Sequence, residues 1–335
     1  MPKLLRFLMI PVALLAVMGM AQAQGPYNLT LTGASPGGLW SRIGGGVDAA
    51  IAAAYPGSTV TYQTSKGGLA NIALVSRGSV PMGMATDGEL AAAYNGQKPF
   101  RTPIKNIRVL FRVYSPAARF QATHLMLNKD FADRHGIRSF ADIVRKKVPM
   151  RVAINRRGNM DSDVSRIIME KMGASIKDIE SWGGQVVYAA SKEIVSLMLD
   201  RRIDLANFGI AYRHPRIREI AKGITPILLN VPKSVVTDVA RTFGGETCVF
   251  KKGEYKFSNQ DINSVCIGAV IIANQNMDDK LAYNITKAIV SKIEKFKTAH
   301  RLIKKNTTPG SIALPAIVPH HQGSARYLRE RGLLK

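Results

Sequence analysis

Three observations predict an α/β fold. Short strand-like runs alternate with runs of helical period, glycine-rich turns sit where one gives way to the other, and 335 residues are enough for two domains with sizeable cores. The stretch 29–54, LTLTGASPGGLWSRIGGGVDAAIAAA, shows the pattern most clearly. Leu29, Leu31 and the flanking threonines suit a strand, and Ile43, Val47, Ala50, Ile51 and Ala54 recur at helical spacing. The turn between them, Gly33-Ala34-Ser35-Pro36-Gly37-Gly38, brings backbone close to a helix start, where unpaired N–H groups favour an anion. A purely structural tight turn is the alternative.

The design repeats along the chain. Residues 58–64 read as a second strand, Ser65-Lys66-Gly67-Gly68 opens a helix over 69–77, and 82–85 form a short strand leading through Thr86-Asp87 into a third helix over 88–95. Right-handed crossovers place such junctions on one sheet edge, so a crevice is expected there. Residues 107–114 and 122–127 are two long strands and candidate hinge segments. A second α/β unit follows. It comprises a helix capped by Ser139, a strand at 150–154, the turn Asn155 to Met160 with a helix from Asp161, a strand near Val186, a helix capped by Ser191 and a strand at 203–208. The likeness of 74–85 to 197–208 supports two lobes of similar build. The chain returns through 227–229, two cysteine-bearing segments and a strand at 269–272. One long helix is expected over 278–297, and a short basic helix ends the chain.

Gly33-Ala34-Ser35-Pro36-Gly37 also fits the G-x-S-x-G pattern of a hydrolase nucleophile elbow. The chemistry fails, because the residue after the serine must donate a backbone N–H to the oxyanion hole and Pro36 has none. No Gly-Lys-Ser/Thr phosphate loop or dinucleotide fingerprint follows either. Nothing in the sequence pairs a base with a nucleophile or sets two carboxylates at an apolar site. The six histidines show no metal-ligand spacing, and neither a metal nor a cofactor is expected. His320 and His321 are read as structural.

The first residues carry Lys3 and Arg6, an apolar run and the small-residue signature Ala21-Gln22-Ala23, the pattern of a secretory leader removed after Ala23. Its removal lowers the formal charge from +24 to +22. Export weighs against nucleic acid as a partner, and the basic clusters lack interleaved aromatics. The charge suits attraction of an anionic solute or membrane surface. In an oxidising compartment Cys248 and Cys266 are expected to pair, with two buried free thiols as the alternative.

GASPGGLW with Gly44-Gly45, then SKGGLANIALVSRG, MGMATDGELAAAYNGQKPF, RVLFRVYSP and HQGSARYLRERG together resemble the TAXI-type solute receptors of TRAP transporters over essentially all of the chain after the leader. The resemblance implies a periplasmic, monomeric, non-enzymatic receptor of type II binding-protein architecture. Its two lobes, 24–127 with 230–335 and 128–229, would close on a small organic acid or amino acid such as glutamate or 2-oxoglutarate and deliver it to an ion-driven permease. A receptor that feeds a membrane sensor shares the fold and remains open.

By the same resemblance Ser35, Gly37 and Gly38 match the first ligand-facing loop, Gly67, Gly68 and Asn71 the second, and Thr86 and Asp87 the polar pair after the third strand. The family's Thr-Tyr, Ser and Glu positions are here Leu39-Trp40, Leu69 and Ala70, and its neutral second-lobe loop is Arg156-Arg157-Gly158-Asn159-Met160. Trp40 is expected to stack on the solute or pack in its lobe. Lys66, Asn159 and Phe208 complete the candidate set. Of the two adjacent arginines, Arg157 is taken to meet a carboxylate, favouring a dicarboxylate over an aromatic monocarboxylate.

Overall fold

The strand-to-helix junctions near the start of the chain set the architecture. The computed structural model describes residues 25–335, so the leader expected at 1–23 lies outside the described residues. β1 (Asn28–Thr32) runs into α1 (Leu39–Ala54), β2 (Thr59–Gln63) into α2 (Gly68–Ser76), and β3 (Met82–Thr86) into α3 (Asp87–Asn95). β1 is parallel to both β2 and β3, so the three junctions open on one sheet edge. α1 forms because Ile43, Val47, Ala50 and Ile51 make one apolar stripe, which is buried against the sheet. Truncating Ile43 to Ala would cost about 2–5 kcal/mol.

After β4 (Ile107–Tyr114) the chain crosses through residues 115–121 to β5 (Ala122–Asn128). There follow α4 (Lys129–His135), α5 (Phe140–Lys146), β6 (Arg151–Asn155), α6 (Met160–Lys171), α7 (Ile176–Ser181), β7 (Gln185–Ala189), α8 (Ser191–Leu199) and β8 (Leu205–Ile210). Then come α9 (Pro215–Gly223), β9 (Pro226–Leu228), α10 (Lys233–Thr242), β10 (Glu246–Phe250) and β11 (Ile262–Cys266). Ile267 and Gly268 carry the chain back to β12 (Ala269–Asn274), followed by α11 (Asp279–Ser291), α12 (Ile293–Lys297), α13 (Arg301–Asn306), α14 (Pro309–Ile312) and α15 (Gln322–Glu330).

Two sheets result. The first has the order β2-β1-β3-β12-β4, and the second β10-β11-β5-β8-β6-β7 with β9 beside β5. Helices cover both faces of each. Period-2 alternation along β12 sends Ile271 into one core of the first sheet, with Phe111 and Phe296, and Val270 and Ile272 into the other, with Ile72 and Leu90.

Sheet membership departs from the boundaries read in the sequence. β5, β10 and β11 were expected with the first lobe, but their hydrogen bonds join them to the second sheet, Cys266 pairing with Ala122. The return crossing is therefore not near Ile227, which sits in β9 against β5, but at Ile267-Gly268. There the Ile267 amide donates to the Gln121 carbonyl at 2.9 Å, tying the two crossings together. The single helix expected over 278–297 is broken at Lys292, which leaves Phe296 free to turn edge-on to Phe111 beneath α1. Ser191 is the first helical residue of α8 and Ala190 its N-cap. Short helices such as α4, α7, α9 and α10 were not assigned from sequence. Cys248 and Cys266 are bridged between neighbouring antiparallel strands, with a Cα separation of 5.9 Å.

Candidate functional site

The sheets meet where helix starts from each approach one another. α1 begins after Gly38 and α2 after Gly67; neither N-cap residue supplies a side-chain acceptor, and at α2 the Gly68 amide faces the buried Glu89 carboxylate. Gly37 and Gly67 have φ of +70° and +118°, backbone that only glycine adopts without strain. A Cβ on Gly67 would lie 3.4 Å from the Gly158 carbonyl, so the start of α2 reaches the turn between β6 and α6. Beside it, a Cβ on Gly88 would strike the Phe243 carbonyl and come within 3.1 Å of the Met160 methyl group. The first turns of α3 and α6 thus abut across the two sheets.

Each of those turns carries a buried carboxylate, Glu89 in α3 and Asp161 in α6. Glu89 is 2% exposed, and its Oε2 accepts from the Thr86 amide and hydroxyl, both at 2.8 Å. Burial pushes its carboxyl up to about 7, and the Asp161 charge adds to the rise. Asp161 is 7% exposed, and burial raises its carboxyl to about 6. Its Oδ1 accepts from Gln121 Nε2 at 2.8 Å. Gln121 Oε1 in turn accepts from the Tyr114 hydroxyl at 3.0 Å, and that oxygen accepts from the Trp40 indole N–H at 3.0 Å. A relay therefore runs from α1 through β4 and the first crossing to α6.

The expected site residues divide in three. Ser35 and Gly37 are exposed on the first turn with Gly38 half-buried behind them, and Lys66 is exposed beside the buried Gly67 and Gly68. Among the described residues the Ser35 side chain has no hydrogen bond to a base, so the nucleophile-elbow pattern has no partner. Trp40 is half-buried in its lobe, with its N–H given to Tyr114. A second group holds the site from behind. Asn71, fully buried, donates to the carbonyls of Gly33 and Met84 at 2.9 and 2.8 Å. Thr86 caps α3 and Asn159 caps α6. Asp87 makes a two-pronged ion pair with Arg112 at 2.8 and 2.9 Å. The third group lies elsewhere. Phe208, expected at the ligand, is fully buried in the second sheet's core because its face of β8 packs under helices. Arg157 is exposed with its guanidinium 3.9 Å from the Tyr188 ring centre.

Sequence reasoning missed Glu89, Asp161, Tyr114 and Gln121. The Thr86-x-x-Glu89 spacing is legible as a capping box, but its burial is not. Two sheets joined by paired crossings define a two-lobed binding-protein fold, and solved structures share it. BugD, a periplasmic binding protein, is 13% identical with a TM-score of 0.53, covering 83% of this chain and 86% of that one. MatC from Rhodopseudomonas palustris, solved with bound malate, is 12% identical at 0.53, covering 83% and 90%. A TctC solute-binding protein from Polaromonas is 11% identical at 0.50, covering 92% and 97%. At these identities the likeness is one of fold. Residues 31–332 match the NMT1-like family, and the chain belongs to it. Among the described residues no helix is long and apolar enough to cross a membrane, and no cluster of His, Cys, Asp and Glu could hold a metal ion.

Proposed function

We propose that the protein is a periplasmic solute receptor, non-enzymatic and monomeric, that closes two lobes on a small carboxylate-bearing solute and delivers it to a membrane permease. The observation that carries this reading is the approach of Gly67 to Gly158, which sets the glycine-rich start of α2 against a turn of the other sheet. First-turn amides with partial positive charge suit a carboxylate, and glycine lets that carboxylate come close. The paired crossings at Gln121 and Ile267 form a narrow joint about which such lobes hinge.

The finer reading keeps the resemblance noted in the sequence. It makes the chain a TAXI-type receptor of a TRAP transporter, exported by cleavage after Ala23, with a dicarboxylic organic acid or amino acid as solute. Ser35, Gly37, Gly38, Lys66, Gly67 and Gly68 supply the first-lobe contacts. Arg157 supplies the second-lobe cation by leaving its stack on Tyr188. Mass spectrometry of small molecules released from gently purified, then denatured, protein tests this, followed by calorimetric titration with the compound found. Release of a carboxylic acid that rebinds is the expected result. A neutral or purely cationic ligand would overturn the carboxylate reading.

A further inference from the structure

Charge is balanced unevenly over the surface. Around the second sheet many exposed cations have acids beside them, as Lys129 has Asp133, Arg166 has Glu170 and Arg201 has Asp130. Helices α12 and α13 of the first lobe differ. Residues 292–305 hold six basic residues and one acid, Glu294, which is taken by Lys297 at 2.8 Å. Phe296 and Ile303 turn into the core, so Lys292, Lys295, Arg301, Lys304 and Lys305 stand exposed. Among the described residues none of the five forms an ion pair. Burial, and after it the charges of Arg42 and Arg301, holds the His300 ring below its ordinary value, which places the exposed Arg42 of α1 beside this group.

From α13 the chain continues through α14 and wraps the edge of β4. Ala313 lies in the core with Phe296 and Ile303, and Val318 in the core on the other face of the sheet. Between them Leu314 and Ile317 are 40% and 48% exposed, the only large apolar side chains so exposed among the described residues. Their loop is held in place, because the Arg112 guanidinium donates to the carbonyls of Leu314 and Pro315. We propose that this part of the first lobe, the five cations of α12 and α13 with Leu314 and Ile317, docks the protein on an anionic lipid surface. Such docking does not depend on which solute the lobes hold. Cations spread along two helices suit a layer of headgroup phosphates better than one small anion, and each that nears the layer adds to the attraction. The Leu314 and Ile317 side chains then reach past the headgroups to the acyl boundary, where apolar surface is favoured. The same cations repel one another in water, and the lipid charge removes that repulsion.

Vesicle flotation reads the docking directly. The full-length processed protein is floated with vesicles of phosphatidylglycerol and phosphatidylethanolamine, and with vesicles of phosphatidylcholine alone, at low and at high salt. The expected result is at least tenfold tighter binding to the anionic vesicles, falling steeply as salt rises. Lys295→Glu, Lys304→Glu and Lys305→Glu made together are expected to abolish that preference. Arg202→Glu, Lys222→Glu and Lys233→Glu, an equal change of charge at exposed positions of the second lobe, should leave binding within threefold. Leu314→Gln with Ile317→Gln, read alongside in case the first variant does not fold, is expected to weaken binding to the anionic vesicles at least threefold. No preference for anionic vesicles, equal losses in the two triple variants, or undiminished binding in both the lysine and the apolar variants would overturn the proposal. Binding confined to vesicles that carry the permease would overturn it too, by making this face a protein interface.

Discussion

The starts of α1 and α6, one in each lobe, solve the same local problem in opposite ways. At α1 the N-cap is glycine, and no side chain of the cap accepts the first-turn amides. At α6 the Asn159 side chain accepts from the Asp161 amide at 2.9 Å, and the Ser162 hydroxyl donates back to the Asn159 carbonyl at 2.7 Å. α1 presents bare backbone donors, while α6 closes its own donors and presents a carboxylate. A glycine N-cap forgoes about a few tenths of a kcal/mol relative to a capping side chain. Keeping that deficit at the start of α1 makes sense where something outside the chain supplies the acceptor.

The largest expected effect removes the brace behind this contrast. Arg112 holds Asp87 at the first turn of α3, and both side chains are buried. Arg112→Met would strand a buried carboxylate and cost about 3–5 kcal/mol by denaturant titration. A loss under 1 kcal/mol would mean that the brace does not hold the first turn of α3 to β4. Next comes the staple at the far edge of the second sheet, for which the described residues of the first sheet have no counterpart. Replacing Cys248 and Cys266 together by Ala is expected to cost about 3 kcal/mol for a loop of this size. An unchanged midpoint would show that strand pairing alone holds that edge.

Acid and base limbs of stability should separate the regions as well. In the second sheet, burial among Phe250, Tyr255 and Phe208 lowers His124 to about 3. The unfolded chain then takes the proton first, so this group's share of stability is lost as pH falls from about 6.5 towards 3, at about 1.4 kcal/mol per unit. Between the lobes the sign reverses. Glu89 and Asp161 are raised, so their share is present below their unfolded values near 4 and is lost as pH climbs through about 6 and 7. Unfolding midpoints against pH should show His124→Phe flattening the acid limb and Asp161→Asn the neutral limb. An unaltered profile in either variant would refute its assignment.

How much of this was legible follows from the range of the signals. Strand and helix periods are local, so β1 to β3, their glycine turns and the helices after them stand in the sequence almost as they fold. Sheet membership is not local. The pairing of Cys266 with Ala122 spans more than a hundred residues, and no pattern near either announces it. The same holds for the site. Asp161 reads as an ordinary first-turn acid and Gln121 as a residue after a loop, and only the crossing brings them to 2.8 Å. Phe208 misled because a strand end near an expected crevice looks exposed, whereas the alternation of β8 turns that side chain into the core.

The smallest effect is the most direct test of the contrast itself. Gly38 sits at the N-cap of α1 with φ −81° and ψ −177°, extended backbone that aspartate adopts readily. A Cβ there would lie 3.4 Å from the Ser35 carbonyl, close to ordinary contact. Gly38→Asp would let its carboxylate accept the amides that α1 leaves bare. Stability should rise by a few tenths of a kcal/mol, because an acidic N-cap exceeds glycine by about that much. If those amides serve a solute carboxylate, the new side chain competes for them and adds like charge, so affinity should fall at least tenfold while the melting temperature rises slightly. Asn159→Ala makes the converse change at α6, costing about 1 kcal/mol through loss of the cap. Because Asn159 closes its own helix, that change should disturb affinity less than Gly38→Asp does. Calorimetry and thermal melts on the two variants, with the compound recovered from the protein, settle the order. Equal losses of affinity, or none in Gly38→Asp, would show that the bare glycine junction is a matter of chain geometry and not of binding.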